Sequence, residues 1–130
     1  MKRYLVVEDE ELSRSILNDY LSEFASCDTA ENGSQGFERF KKAIVDGNPY
    51  DLVCTDHIMP LMDGYDLIKK IREFEDTEHR NVRTNIFVIS MSNSSVDMSH
   101  AILECDCDDY IVKPFHRDQL KSQLDKYNLI

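Results

Sequence analysis

The chain has 130 residues, of which 42% are hydrophobic and 31% are charged, and this composition suits one soluble domain with a single core. Its formal net charge of −10 and the lack of a dense Lys/Arg stripe argue against nucleic-acid binding, which requires a basic face. No apolar run approaches the roughly 20 residues of a membrane span. The apolar run after Lys2 and Arg3 stops at Glu8, too early for a signal peptide. We therefore expect a cytoplasmic protein that acts on protein partners and not at a membrane.

Strand-like and helix-like segments alternate along the chain, which predicts an α/β fold with a parallel sheet. The predicted strands cover residues 4–7, 27–29, 51–55, 86–89 and 109–112. The predicted helices cover about residues 11–24, 34–45, 65–74, 94–104 and 117–127. Residues 75–85 are polar and charged, and we expect a mobile connection there. Because no repeat or linker divides the chain, we expect residues 1–130 to form one domain without an output domain.

The first predicted helix has an apolar face with helical spacing. Its members are Leu12, Ile16, Leu17, Tyr20, Leu21 and Phe24. Such a face predicts packing against the sheet.

Chemically reactive side chains follow four of the predicted strands at the point where each strand ends. Glu8 and Asp9 follow the first strand, Asp56 the third, Ser90 the fourth and Lys113 the fifth. In a sheet of order 2-1-3-4-5, the strand order reverses between strands 1 and 3, and ligands bind outside the carboxyl ends there. We therefore expect these side chains to meet at one edge of the sheet.

This set of side chains predicts phosphoryl chemistry with a divalent cation. Three carboxylates a few ångströms apart repel one another, and a hard cation such as Mg²⁺, or Mn²⁺ in its place, relieves that repulsion. Two charges on the cation and one on Lys113 balance the three carboxylates, so a dianionic phosphoryl group can approach. Asp56 would be the nucleophile and would form an aspartyl phosphate, while the cation and Lys113 would stabilise the transferred oxygens.

Three longer segments make the chain resemble the receiver domains of two-component response regulators. They are residues 5–10, 51–64 and 108–115, which read LVVEDE, DLVCTDHIMPLMDG and DDYIVKPF. The resemblance covers essentially the whole chain and implies a flavodoxin-like, doubly wound (βα)5 fold with helices on both faces of the sheet. It implies that Asp56 accepts a phosphoryl group from a sensor histidine kinase or a histidine phosphotransfer protein.

The resemblance also implies a metal ligand set. Asp9 and Asp56 would bind the ion directly, the backbone carbonyl of Ile58 would be a third protein ligand, and Glu8 would act through a water molecule. Lys113 would pair with the phosphoryl oxygens, and the bond between Lys113 and Pro114 would be cis.

The resemblance further implies a switch. Ser90 would move to bond the phosphoryl group and Tyr110 would turn inward behind it, which would alter the face made by helix 4, strand 5 and helix 5. The domain would catalyse its own phosphorylation and dephosphorylation without being an enzyme in the usual sense. We expect a monomer or a weak dimer.

Four positions depart from the pattern of the family. Glu8 stands where aspartate is commoner, and Met91 stands where a small residue is usual and would crowd the mouth of the site. Ile58 is apolar and cannot orient an attacking water molecule, so we expect a long-lived phosphoryl group. Asp106 stands where glycine is common.

The remaining cysteine and histidine residues suggest no further site. Cys27, Cys54, Cys105 and Cys107 are interpreted as free, reduced thiols. His57 follows Asp56, but neighbouring side chains at a strand end point in opposite directions, so we expect packing or solvent contact for it.

Three alternative functions are open at this stage. The protein could be a phosphorelay intermediate that passes its phosphoryl group to a histidine on another protein. It could be a phosphatase or phosphotransferase with an aspartate nucleophile, although Ile58 stands where such an enzyme needs an acid/base carboxylate. It could also be a degenerate receiver that serves only for dimerisation.

Overall fold

A computed structural model describes residues 2–57, 59, 62–78 and 83–130 of the chain. The strands are β1 (Arg3–Val7), β2 (Ser26–Ala30), β3 (Leu52–Thr55), β4 (Asn85–Ser90) and β5 (Asp109–Val112). The helices are α1 (Glu11–Ser22), α2 (Gly33–Val45), α3 (Gly64–Thr77), α4 (Ser95–Ser99) and α5 (Arg117–Lys126), and a π-helical turn, His100–Glu104, follows α4 directly. All strands pair in parallel in the order β2-β1-β3-β4-β5, which confirms the predicted topology.

The sheet is covered on both faces because successive side chains of each buried strand point to opposite sides. One layer joins Leu5, Val53 and Val88 to the apolar sides of α2 and α3. The other layer joins Val6, Cys54 and Phe87 to α1 and α5. The predicted face of α1 is only partly correct, since Leu17 and Leu21 are buried but Leu12 and Ile16 are exposed.

The strand register aligns the carboxyl ends of the strands that carry the reactive residues. Val7 of β1 pairs with Thr55 of β3, and Ser90 of β4 pairs with Val112 of β5. Just beyond the strands, the N–H of Asp56 donates to the carbonyl of Val7 (3.1 Å) and the N–H of Lys113 donates to the carbonyl of Ser90 (2.7 Å). The residues that follow these strands therefore lie along one edge.

The predicted mobile connection over residues 75–85 is wrong at its start, because α3 continues to Thr77 and Glu75 is only 3% exposed. The guanidinium of Arg72 donates to Glu75 (2.8 Å), to the carbonyl of Thr84 (2.8 Å) and to Asp108 (2.9 Å). The second carboxylate oxygen of Glu75 accepts the N–H of Thr84 (2.8 Å). Charged residues that suggest a loop are thus buried as a mutually neutralising network. Residues 79–82 lie outside the described residues.

The predicted fourth helix is interrupted. After α4 the N–H of Cys105 donates to the carbonyl of His100 (3.0 Å), a bond over five residues that defines the π turn. The following Asp106 has a φ of 69°, a left-handed conformation that favours glycine. The carbonyl of Asp106 accepts from Arg72 (2.9 Å) and its carboxylate accepts from Arg83 (2.6 Å). These bonds hold an aspartate where the family commonly has glycine.

Two further expectations can be compared with the fold. All four cysteines lie in the described residues and are free thiols, as predicted. The longest helix of the described residues, α3, has 14 residues and carries charges, so none of the described helices could span a bilayer.

Candidate functional site

Side chains from three strand ends meet in one acidic cleft. One carboxylate oxygen from each of Glu8, Asp9 and Asp56 lies within 4.8 Å of the other two. The ammonium of Lys113 donates to Glu8 (2.9 Å) and to Asp56 (3.0 Å). The structure therefore brings together four of the predicted site residues, whereas their chemical roles remain predictions.

Burial and mutual charge shape the ionisation of the cleft. The side chain of Glu8 is only 2% exposed, and burial together with the charge of Asp56 raises its pKa to about 7, against the opposing hydrogen bond from Lys113. Burial lowers the pKa of Lys113, but its hydrogen bonds to Glu8 and Asp56 outweigh that effect and raise the pKa above the ordinary value. Lys113 therefore stays charged, and the cleft still carries excess negative charge that a cation could neutralise.

The cleft suits a hard divalent cation such as Mg²⁺. Its three carboxylates offer oxygen atoms only, which is the donor type that Mg²⁺ prefers. Asp9 is exposed, Asp56 is half-buried and Glu8 is buried, so a cation there would keep contact with solvent. The third predicted protein ligand, the backbone carbonyl of Ile58, lies outside the described residues.

The backbone around Asp56 is packed closely against the start of α3. The N–H of Gly64 donates to the carbonyl of His57 (2.9 Å). A Cβ atom on Gly64 would lie 2.0 Å from the carbonyl oxygen of Asp56, so no larger residue fits without moving the Asp56 backbone. Asp63 caps the helix by accepting the N–H of Asp66 (2.9 Å). The first turn of α3 thus fixes the place of Asp56.

The predicted switch residues, Ser90 and Tyr110, both bond to Ser92. Ser90 is buried, and its hydroxyl accepts the N–H of Ser92 (3.2 Å). Tyr110 is buried, and its hydroxyl donates to the carbonyl of Ser92 (3.0 Å). Both side chains therefore contact the loop between β4 and α4. The bond between Lys113 and Pro114 is cis, as the resemblance implies.

An apolar groove beside the cleft is a feature that the sequence analysis missed. Its cavity has a volume of about 360 Å³ and extends from Glu8 and Lys113 along α1. Its apolar lining consists of Ile16, Leu17, Tyr20, Ile89, Met91, Pro114 and Phe115. Met91 is 80% exposed and lines this groove, and the expected crowding of the mouth of the site by its side chain stays a prediction. The apolar spacing of α1 was the available signal, but spacing alone does not separate a core face from an exposed groove.

Arg14 and His57 are two further neighbours of the cleft. The guanidinium of Arg14 donates to the backbone carbonyl of Glu8 (2.9 Å), which fixes the loop after β1. The imidazole of His57 stacks on the ring of Tyr65, with centroids 4.0 Å apart, so packing is the correct interpretation of that histidine.

Comparison with known proteins identifies relatives of the chain. The family model of the response regulator receiver domain matches residues 4–125. The two-component response regulator ORR41 of Oryza sativa subsp. japonica is 33% identical over 99% of this chain and 96% of its own length. The 3',5'-cyclic-nucleotide phosphodiesterase regA of Dictyostelium discoideum is 32% identical over 95% of this chain, which spans only 15% of that relative.

Solved structures are similar over nearly the full length. The response regulator TrrA from Thermotoga maritima, solved in complex with Mg(2+)-BeF, has a TM-score of 0.77 and 32% identity over 98% of this chain and 99% of its own. The receiver domain of Ssk1 from Saccharomyces cerevisiae, co-crystallised with the histidine phosphotransfer protein Ypd1, has a TM-score of 0.84 and 25% identity over 98% of this chain and 89% of its own. With the sheet order and the acidic cleft described above, the full-length family match shows that this chain belongs to the response regulator receiver domains of two-component signalling.

Proposed function

We propose that this receiver domain accepts a phosphoryl group on Asp56 and thereby switches a protein–protein surface. The observation that carries the proposal is the position of Lys113, whose ammonium bridges Asp56 and Glu8 at the acidic cleft. Asp56 is half-buried at the end of the central strand β3. The ammonium of Lys113 is close enough to Asp56 to bind an oxygen of a phosphoryl group attached there.

The chain's own residues account for the transfer. A carboxylate oxygen of Asp56 attacks the phosphorus of a phosphohistidine, the N–P bond breaks as the O–P bond forms, and the donor imidazole leaves with the electron pair. Lys113 stabilises the negative charge on the transferred oxygens. Glu8, Asp9 and Asp56 would hold Mg²⁺, with Mn²⁺ as an alternative, and the cation supplies further charge neutralisation when it is bound.

The groove beside Lys113 supports a histidine-bearing protein as the donor. It opens next to the cleft, and two of its apolar lining residues, Ile16 and Met91, are exposed. A helix that presents a phosphohistidine could cover these side chains while its imidazole reaches Asp56. The Ssk1 receiver, which resembles this chain, was crystallised with a histidine phosphotransfer protein. We therefore propose a sensor histidine kinase or a phosphotransfer protein as the partner.

The output would be an altered surface formed by α4, β5 and α5. Ser90 and Tyr110 both contact Ser92 in the loop before α4, so a movement of Ser90 towards a phosphoryl group would disturb the bond from Tyr110. We propose that residues 1–130 act as one such module, with phosphorylation biasing a two-state equilibrium. We expect no turnover of generic phosphate esters.

A direct test compares Asp56→Asn with wild type in a phosphotransfer assay. Protein is incubated with Mg²⁺ and a radiolabelled phosphotransfer protein, and the label on the receiver is measured. Wild type should be labelled and Asp56→Asn should not, whereas the control Asp46→Asn, an exposed carboxylate at the end of α2, should be labelled as wild type is. Equal labelling of Asp56→Asn and wild type would refute the proposal.

The same assay separates a terminal switch from a relay intermediate. Labelled wild-type protein is mixed with an unlabelled phosphotransfer protein, and loss of label by transfer is compared with loss by hydrolysis. Transfer faster than hydrolysis would favour the relay, and hydrolysis without transfer would favour the terminal switch.

A further inference from the structure

The side chain of Tyr65 lies between the Asp56 loop and the segment formed by α4 and the π turn. Its ring stacks on the imidazole of His57, with centroids 4.0 Å apart and planes 18° from parallel. The imidazole of His100 in the π turn also contacts this ring, at a centroid distance of 4.6 Å. Because His57 directly follows Asp56, these three rings form a continuous column from the proposed phosphoacceptor to the π turn.

The imidazole of His57 packs face to face against Tyr65. Its Nδ1 atom is buried and finds no hydrogen-bond partner among the described residues. The backbone carbonyl of His57 accepts the N–H of Gly64, the residue before Tyr65. A displacement of the Asp56 loop would therefore be transmitted to Tyr65 through both a ring stack and a backbone bond.

The hydroxyl of Tyr65 reaches the point where α4 changes into the π turn. It donates to the carbonyl of Asp97 (2.9 Å), which also accepts the N–H of His100. Burial raises the pKa of Tyr65 above its usual range, so the hydroxyl keeps the proton that it donates. Tyr65 thus contacts both α4, through Asp97, and the π turn, through His100.

The segment that Tyr65 contacts is weakly packed. In residues 95–104, all of which the structure describes, Ala101 is the one buried residue. Val96 and Leu103 are largely exposed. A π turn departs from regular α-helical geometry, and we infer that a change between these two geometries gives this segment two discrete arrangements. An element of this kind is what energetic coupling between two sites requires.

We propose that Tyr65 is a positioning residue that couples Asp56 to α4 and the π turn, as a second route beside Ser90 and Tyr110. This inference rests on the proposed phosphorylation of Asp56. The two routes begin at different places and meet at Asp97, whose carboxylate accepts the hydroxyl of Ser92 (2.6 Å) and whose carbonyl accepts the hydroxyl of Tyr65 (2.9 Å). The Ser90 route runs through Ser92 in the loop after β4, whereas the Tyr65 route runs through the start of α3.

Hydrogen exchange of residues 95–104 tests the coupling, measured with and without beryllofluoride and Mg²⁺ as a phosphoryl mimic. Tyr65→Phe keeps the ring and removes the hydroxyl. Without the mimic, we expect exchange of these amides to be about fivefold faster in this variant than in wild type, as for loss of one hydrogen bond. We expect the change caused by the mimic to fall to less than half of that in wild type, while Asp56 still takes up label from a phosphotransfer protein.

Two additional variants make the interpretation specific. Tyr127→Phe is the matched control, because its hydroxyl also donates to a backbone carbonyl, that of Asp108 (2.8 Å), but far from the cleft. It should respond to the mimic as wild type does. His57→Leu removes the stacked imidazole and should weaken the response as Tyr65→Phe does, with no further loss when the two are combined.

The possible outcomes separate the two proposals. If Tyr65→Phe accelerates exchange equally with and without the mimic, Tyr65 only stabilises the segment, and the coupling is refuted. A response in Tyr65→Phe equal to that of wild type also refutes it. If wild-type Asp56 takes no label at all, the proposed function fails and the coupling fails with it.

Discussion

The buried network around Arg72 should be a major source of stability, and Arg72→Met tests this. The guanidinium joins α3 to the residue before β4 and to Asp108 before β5 through four hydrogen bonds. Methionine retains much of the apolar stem but offers no donor and no charge. The substitution would take away the hydrogen bond and the positive charge that Arg72 supplies to the carboxylate of Glu75, which is 3% exposed.

The expected loss follows from the burial of that carboxylate. Removing one partner of a buried ion pair costs about 3–5 kcal/mol, because the remaining buried charge loses the compensation that this partner supplied. For a chain of this size, 1 kcal/mol corresponds to a few degrees in Tm, so the transition should fall by about 10–15 °C. Arg83→Met is the matched control, since its ion pair with Asp106 is exposed and contributes at most about 1 kcal/mol.

The assay is urea unfolding of wild type, Arg72→Met, Glu75→Gln and the double variant at neutral pH. The double variant lacks the buried charge of Glu75. Its decrease in the free energy of unfolding should therefore be smaller than the sum of the two single decreases by at least about 1 kcal/mol. A loss below 1 kcal/mol for Arg72→Met, or strictly additive losses, would refute this account of the network.

Three further predictions concern the cleft. Burial raises the pKa of Glu8 to about 7 from an ordinary value of 4.5, so between these two pH values the folded protein retains a proton that the unfolded chain releases. As the pH rises from 4.5 through 7, ionisation of Glu8 therefore destabilises the fold increasingly. Without divalent cations, Glu8→Gln should therefore be more stable than wild type by up to about 3 kcal/mol at pH 8 but nearly equal to it at pH 4.5, and urea midpoints that differ equally at both pH values would contradict this. Gly64→Ala places a methyl group against the carbonyl of Asp56 and should lower both the Tm and the labelling of Asp56. The control is Gly47→Ala, at a residue with a φ of 75° and open space around its Cα, which should lower the free energy of unfolding by about 1–2 kcal/mol and leave labelling intact. Normal labelling of Gly64→Ala would show that the contact does not position Asp56. Ile58→Asn offers an amide that can orient water, so its phosphoryl group should hydrolyse faster than that of wild type, and an equal or longer half-life would show that Ile58 does not protect the group.

The sheet and the cleft could be predicted from the sequence because both depend on simple regularities. Apolar runs of four to six residues are typical of strands that are covered on both faces. The reactive residues follow these runs directly, and parallel strands in register end at the same edge of the sheet. The strand order and this register together are enough to bring Glu8, Asp56 and Lys113 close to one another.

Other features depend on contacts that local patterns do not encode. Glu75 resembles a loop residue until Arg72 and Thr84 are known to bond its carboxylate. The π turn depends on a hydrogen bond between His100 and Cys105 that helical spacing does not predict. The exposure of Leu12 also cannot be predicted from the sequence, because the apolar period of an amphipathic helix is the same whether its apolar face packs on the core or on a partner.

The groove along α1 allows the choice of partner to change in evolution independently of the stability and chemistry of the domain. Ile16 and Met91, which line the groove, are 41% and 80% exposed, so neither contributes much to the core, and neither belongs to the acidic cluster. Replacements at these two positions could redirect the domain from one cognate partner to another while leaving its thermal tolerance and its chemistry intact. A few substitutions in the groove could thus prevent cross-talk between parallel signalling pathways in the same cell.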